Sequence, residues 1–182
     1  MKIVNNHAHA ETLYESIHLR HFFALLSSFA TARSKGCLTL TAHLPLEIQH
    51  PQIFKNKVGA IIFVYFGELL KYLFSIPLYW ENSPLLEYGS WKLKYGQLDW
   101  NSIPPYIQLC LDTGHLMLGS KNAFEARKRI RAFIRRFDKR IGHLHIHENK
   151  FIKDDHFRPN AVINSKLLKS IIKSRTYIFE KG

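Results

Sequence analysis

Apolar positions along the chain recur with two different periods. Glu11 to Ser34 carries Leu13, Ile17, Leu25, Leu26 and Phe29 at helical spacing, and Gly36 follows as a cap. Cys37 to His43 (CLTLTAH) is rich in β-branched and apolar residues and stops just before Pro45, which predicts a strand. Strands are also predicted for Lys2 to Val4, Ile76 to Glu81, Tyr106 to Asp112, Ile141 to His147 and Tyr177 to Glu180. Helical patterns fill Asn122 to Asp138 and Ile163 to Ser174. The run Ala60 to Phe66 fits a strand or the start of a helix continuing through Gly67 to Phe74, because a short apolar run has no period of its own. The alternation of strands and helices, with no linker or repeat, predicts a single α/β domain with a parallel sheet.

The polar residues fall at the ends of these strands. They are His43, then Glu81, then Asp112 with His115, then His143, His145 and His147, and last Glu180. In parallel α/β folds the loops at the carboxyl ends of strands converge on one mouth, so this placement predicts a shared metal site. Alternation puts His143, His145 and His147 on one face of their strand and Leu144 and Ile146 on the other. Asp154 and His156, in a polar loop, are spaced to chelate one ion from the same side. Glu81 and Glu180, from different strands, combine metal ligation with acid–base capacity.

Composition narrows the class. The chain has 182 residues, 46% of them hydrophobic and 22% charged, which is the balance of a folded domain and not of a disordered or fibrous one. Cys37 and Cys110 are too few for a disulfide framework or a cysteine-based zinc site, so a reducing compartment is expected. Met1 to Ala10 lacks a signal-peptide core, and no apolar run approaches the roughly 20 residues of a membrane span. A soluble cytoplasmic protein with no membrane partner is therefore expected. The net charge of +12 is concentrated in Arg127 to Arg140 (RKRIRAFIRRFDKR). There Ile130, Phe133, Ile134 and Phe137 make one face of an amphipathic helix whose outer face is basic. A solvated face is the ordinary reading of such a helix, and nucleic-acid or membrane contact are the alternatives.

In order, His43 (AHLP), Glu81 (WENSP), Asp112 and His115 (LDTGH), His145 (HLHIHENK), Asp154 and His156 (DDH) and Glu180 (IFE) resemble the xylose isomerase-like TIM-barrel superfamily. That group contains sugar phosphate isomerases and epimerases and the endonuclease IV enzymes (AP endonuclease family 2). The resemblance runs from Leu38 to Glu180 and implies an incomplete (β/α) TIM barrel of six to seven parallel strands. Against the roughly 250 residues of an intact barrel, residues 1–182 would form one domain lacking the last strand/helix unit and compacted around 44–76. A second copy of the chain would be one way to complete it.

The isomerase branch implies one divalent cation (Mn, Mg, Co or Zn) on Glu81, Asp112, His145 and Glu180. Glu81 and Glu180 would move a proton alpha to a carbonyl through a metal-stabilised enediolate, with His115 and His43 holding a small sugar or sugar phosphate. The endonuclease IV branch implies three zinc ions with His43, His115, Asp154 and His156 as further ligands, cleaving abasic DNA. Three positions depart from the family pattern, the change at Glu148 being mild. Ile61 to Gly67 supplies no histidine at the third strand end, Glu148 stands where an Asp is usual, and Asp155 occupies the place of an Arg and would repel phosphate. The missing histidine and Asp155 favour the isomerase over the nuclease, and a barrel that has lost catalysis is the third reading. Among the three histidines of HLHIHENK, His145 is the expected ligand, with His143 deeper and His147 at the strand exit.

Overall fold

A computed structural model describes residues 2–3, 7–10, 17–45, 57–83, 87–88, 91–92, 104–173 and 175–180. The elements in chain order are β1 (Lys2–Ile3), β2 (His7–Ala10), α1 (Leu19–Ser34), β3 (Thr39–His43), α2 (Lys57–Phe74), β4 (Leu78–Glu81), β5 (Glu87–Tyr88), β6 (Trp91–Lys92), β7 (Leu109–Asp112), α3 (Thr113–Met117), α4 (Ala123–Phe137), β8 (Ile141–Ile146), α5 (Ser165–Ile171) and β9 (Thr176–Phe179). The chain divides into two compact units, one of Val4–Glu81 with Gln97–Gln108, the other of Met1–Ile3, Asn82–Gly96 and Leu109–Gly182. Residues 11–16 of the predicted first helix lie outside the described residues.

In the first unit, β2 pairs with β3 and β3 with β4, all parallel, with His9 opposite Thr41 and His43 opposite Glu81. Leu40, Ala42, Leu78 and Trp80 are fully buried, as strands covered on both faces require. The strand β2 was not anticipated; its HAHA alternation was the available signal.

The ambiguous run resolves as helix. Ala60, Phe63, Val64, Gly67 and Leu70 are buried at helical spacing, whereas Ile62, Tyr65, Leu69 and Tyr72 are exposed. A Cβ on Gly67 would stand 2.6 Å from Trp80 Cζ2, so glycine lets α2 lie close on β4. Trp80 then donates its Nε1–H to Glu68 at 3.0 Å. This corrects the expectation of a third strand at Ile61 to Gly67. Those residues are helical, so their lack of a strand-end histidine says nothing against further ions.

In the second unit, β7, β8, β9 and β1 pair in that order, all parallel, with Asp112 opposite His145 and His145 opposite Ile178. The amphipathic pattern of the basic segment is realised as α4, which buries Ala126, Ile130, Phe133 and Phe137. The Asn122 side chain caps α4 by accepting from Glu125 N at 3.0 Å, and Asn164 caps α5 in the same way. The short helix α3 starts where the Asp112 side chain accepts from His115 N at 2.8 Å. Among the described residues no helix is long and apolar enough to cross a membrane.

Candidate metal centre

Three parallel strands of the second unit deliver Asp112, His145 and Glu180 to one place. His145 Nδ1 lies 3.0 Å from Glu180 Oε1 and 3.8 Å from Asp112 Oδ2. Asp112 is fully buried and His145 nearly so, whereas the Glu180 side chain retains 21% exposure. Asn82 fixes the backbone of Asp112 from both sides. Its Oδ1 accepts from Asp112 N at 2.8 Å and its Nδ2 donates to Asp112 O at 3.1 Å.

His147, expected at the strand exit with His145 as the ligand, joins this group. Its ring is fully buried, with Nε2 2.9 and 3.1 Å from the two oxygens of Asp112 and 3.6 Å from Glu180 Oε2. Burial alone would lower the His147 pKa. The charge and hydrogen bond of Asp112, with Asp154 and Glu180 beyond, outweigh it and raise the value above 6.5. Nδ1 of His147 is buried and makes no hydrogen bond among the described residues. His143 points elsewhere, with Nδ1 2.7 Å from Thr176 Oγ1.

A second cluster adjoins the first. His115 Nδ1 lies 2.7 Å from the carbonyl of Asn82, and since a carbonyl only accepts, Nδ1 carries the proton. Nε2 lies 3.1 Å from Asp154 Oδ2, an approach that calls for a second ring proton donating to the carboxylate or for a cation between them. His156 Nε2 approaches the same Oδ2 at 3.1 Å, and His147 lies 3.7 Å from Asp154 Oδ1. A shared cation or an additional ring proton relieves such a crowd of acceptors. Burial would raise the Asp154 pKa, but the hydrogen bond and charge of His115, followed by His147 and His156, hold it well below the usual carboxylate range. His156 is held at φ 51 and Phe151 at φ 69, left-handed conformations that cost non-glycine residues energy. Asp155, expected to repel phosphate, is paired with Lys153 at 3.2 Å.

Donor atoms of Asp112, His145 and Glu180, of Asp112, His115 and His147, and of His147, Asp154 and His156 each lie within 4.8 Å of one another. Nitrogen and carboxylate oxygen in this number suit a divalent transition metal such as zinc. The residues present therefore fit a metal.

Gly114 makes the position of His147 possible. A Cβ there would stand 2.0 Å from His147 Cε1 and 2.4 Å from Nε2. Gly114→Ala is expected to push the imidazole off Asp112, to weaken metal binding about tenfold, and to cost about 1–3 kcal/mol. Isothermal titration with zinc and urea denaturation check both; unchanged zinc affinity would show that His147 is not seated by Gly114.

In the first unit, Glu81 is buried between two histidines, 3.5 Å from His9 Nδ1 and 3.9 Å from His43 Nε2. These three donors also lie within 4.8 Å of one another. His9, whose Nδ1 is 2.9 Å from Thr41 Oγ1, was missed from sequence because its strand was missed.

No sequence family matches the chain, and no curated protein does. Solved structures do. A D-tagatose 3-epimerase-like protein superposes with a TM-score of 0.63 at 16% identity, over 96% of this chain and 70% of that one. The TTHB071 protein of Thermus thermophilus, from crystals soaked with ZnCl2, gives 0.61 at 15% identity over 94% and 69%. The 3-keto-D-glucoside 4-epimerase YcjR of E. coli gives 0.58 at 11% identity over 95% and 70%.

Proposed function

We propose that this chain, which has the incomplete α/β barrel fold of the xylose isomerase-like TIM barrels, is a divalent-metal-dependent isomerase or epimerase of small sugars. The observation that carries the reading is the meeting of Asp112, His145 and Glu180 at the ends of three parallel strands. Two of the similar structures bear the names of a sugar epimerase and an epimerase-like protein.

A bound cation would supply Lewis-acid polarisation of a substrate carbonyl, which acidifies the adjacent C–H. Asp112, without exposure and held by Asn82, is suited to fixed ligation. Glu180, the partly exposed carboxylate of the group, is suited to taking the proton alpha to the carbonyl and returning it. His145, 3.0 Å from Glu180, orients that carboxylate. His115, engaged with Asp154, is a positioning group.

The test is metal analysis combined with solvent proton exchange. Purified protein loaded with zinc, manganese or cobalt is incubated with ketoses in D2O, and deuterium at the carbon alpha to the carbonyl is followed by NMR. Metal-dependent exchange that disappears in Glu180→Gln is expected. Metal retention without exchange on any ketose, or exchange unaffected by Glu180→Gln, would sink the proposal.

The neighbouring group of His147, Asp154 and His156 favours a second reading, a multi-ion phosphodiesterase acting on abasic DNA. More than one metal per chain, with metal-dependent nicking of abasic duplex and no sugar exchange, would select it.

A further inference from the structure

The outward face of α4 is used by nothing described so far. Phe124, Arg127, Lys128, Arg131, Ile134 and Arg135 share one helical stripe and line a groove of about 580 Å³, with Ser170 of α5 on the opposite wall. Phe124, Lys128, Arg131 and Arg135 are exposed, away from the buried Ala126, Ile130, Phe133 and Phe137, while the half-buried Arg127 and Ile134 border that apolar face, on which Ile134 was expected to lie. No carboxylate lines the groove among the described residues. The acids nearby in sequence are already committed, Glu125 to Arg129 at 2.7 Å and Asp138 to Arg175. Among the described residues, Arg127 is the groove cation that makes a hydrogen bond, to Ala161 O at 3.2 Å.

We propose that this groove binds single-stranded nucleic acid, independently of the metal centre. Three observations select that occupant. The adjacent Arg127 and Lys128, then Arg131 and Arg135, recur along one face at steps of three to four residues, about 4.5–6 Å, which matches a polymer with regularly repeating charge. Three of the four are arginines, whose planar guanidinium pairs with phosphate oxygens two at a time. Phe124, 73% exposed at the groove, offers a ring face on which a base can stack, and Ile134 adds an apolar contact. The groove shares no residue with the strand-end clusters, so it would hold a strand and leave the metal site alone.

The test is fluorescence anisotropy with labelled oligo(dT) and oligo(rU) across a salt series, using the full chain. Binding that weakens steeply with salt is expected, with a slope of about −0.7 per phosphate neutralised. Arg131→Gln with Arg135→Gln is expected to weaken binding at least about tenfold and to flatten the slope by about 1.4. Lys35→Gln with Lys139→Gln, an equal charge change outside the groove, is expected to leave binding within about threefold. Phe124→Ala is expected to weaken binding with the slope unchanged, because stacking releases no counterion. Matched thermal melts and metal contents show that the variants keep their fold, and failure here leaves the metal-centre reading intact. The proposal is overturned by no oligonucleotide binding at low salt or by equal losses from the two double variants. It is equally overturned if polyglutamate or phosphatidylserine vesicles displace the oligonucleotide at matched charge, which would assign the face to an acidic peptide or a membrane.

Discussion

Asp112→Ala is expected to abolish metal binding at the strand-end cluster and to cost the metal-free protein about 3–5 kcal/mol. The carboxylate is fully buried, accepts from His115 N at 2.8 Å to start α3, and lies 2.9 Å from His147 Nε2. Removing it takes from the buried imidazole its two closest acceptors, leaving Glu180 and Asp154 oxygens at 3.6 and 3.7 Å, and takes away a helix cap, itself worth about 1 kcal/mol. The same change alters the pH dependence. Because Asp112 helps raise the His147 pKa above 6.5, the protonated ring stabilises the metal-free fold below that value. That contribution is lost as pH rises through the raised folded pKa. In Asp112→Ala this slope is expected to shrink, and Asp112→Asn, which keeps the size and the cap acceptor, should lose the metal at a smaller cost in stability. Elemental analysis and urea denaturation of EDTA-treated protein between pH 5 and pH 8 read all three effects. A variant that retains full metal content would remove Asp112 from the site.

Glu148→Ala is the second large loss expected, about 3 kcal/mol or more, with no role in chemistry. Its buried carboxylate accepts from four successive backbone N–H groups, those of Asn160, Ala161, Val162 and Ile163, at 2.6 to 3.1 Å. Hydrogen bonds to a charged acceptor are worth about 1.5–3 kcal/mol each, and orphaned buried N–H groups add their own cost. The segment so anchored follows Asp154 and His156, so the second cluster should loosen with it. Hydrogen exchange at residues 160–163 is expected to accelerate strongly, while Glu148→Gln should preserve part of the protection. Exchange rates matching the unmodified protein in Glu148→Ala would show that these bonds do not hold the segment.

Glu148 also illustrates what a motif cannot say. Read in line with HLHIHENK, it was a mild departure from an Asp; in the structure it is the anchor of a loop twelve to fifteen residues away. The strand-end residues were legible for a physical reason. Strands covered on both faces read as continuous apolar runs, so the first polar residue after each run marks its end, and His43, Glu81, Asp112 and Glu180 all lie there. Helix α4 was legible because Ile130, Phe133 and Phe137 recur at the helical period against a charged background.

Tertiary structure decided the rest. Residues 57–74 are apolar on their exposed side as well, with Ile62, Tyr65 and Leu69 facing outward, so no contrast revealed the period. The helix is fixed instead by the close approach of Gly67 to Trp80. His9 stayed hidden because a four-residue strand is defined by its pairing with β3 and not by its own sequence. Alternation put His143, His145 and His147 on one face but could not rank them. Packing did so, turning His143 to Thr176 and seating His147 on Gly114 against Asp112. Residue type and period determined where donors would stand along each strand; which donors meet at Asp112, His145, His147 and Glu180 was set by pairing of strands that bring together residues more than thirty positions apart, which no local pattern encodes.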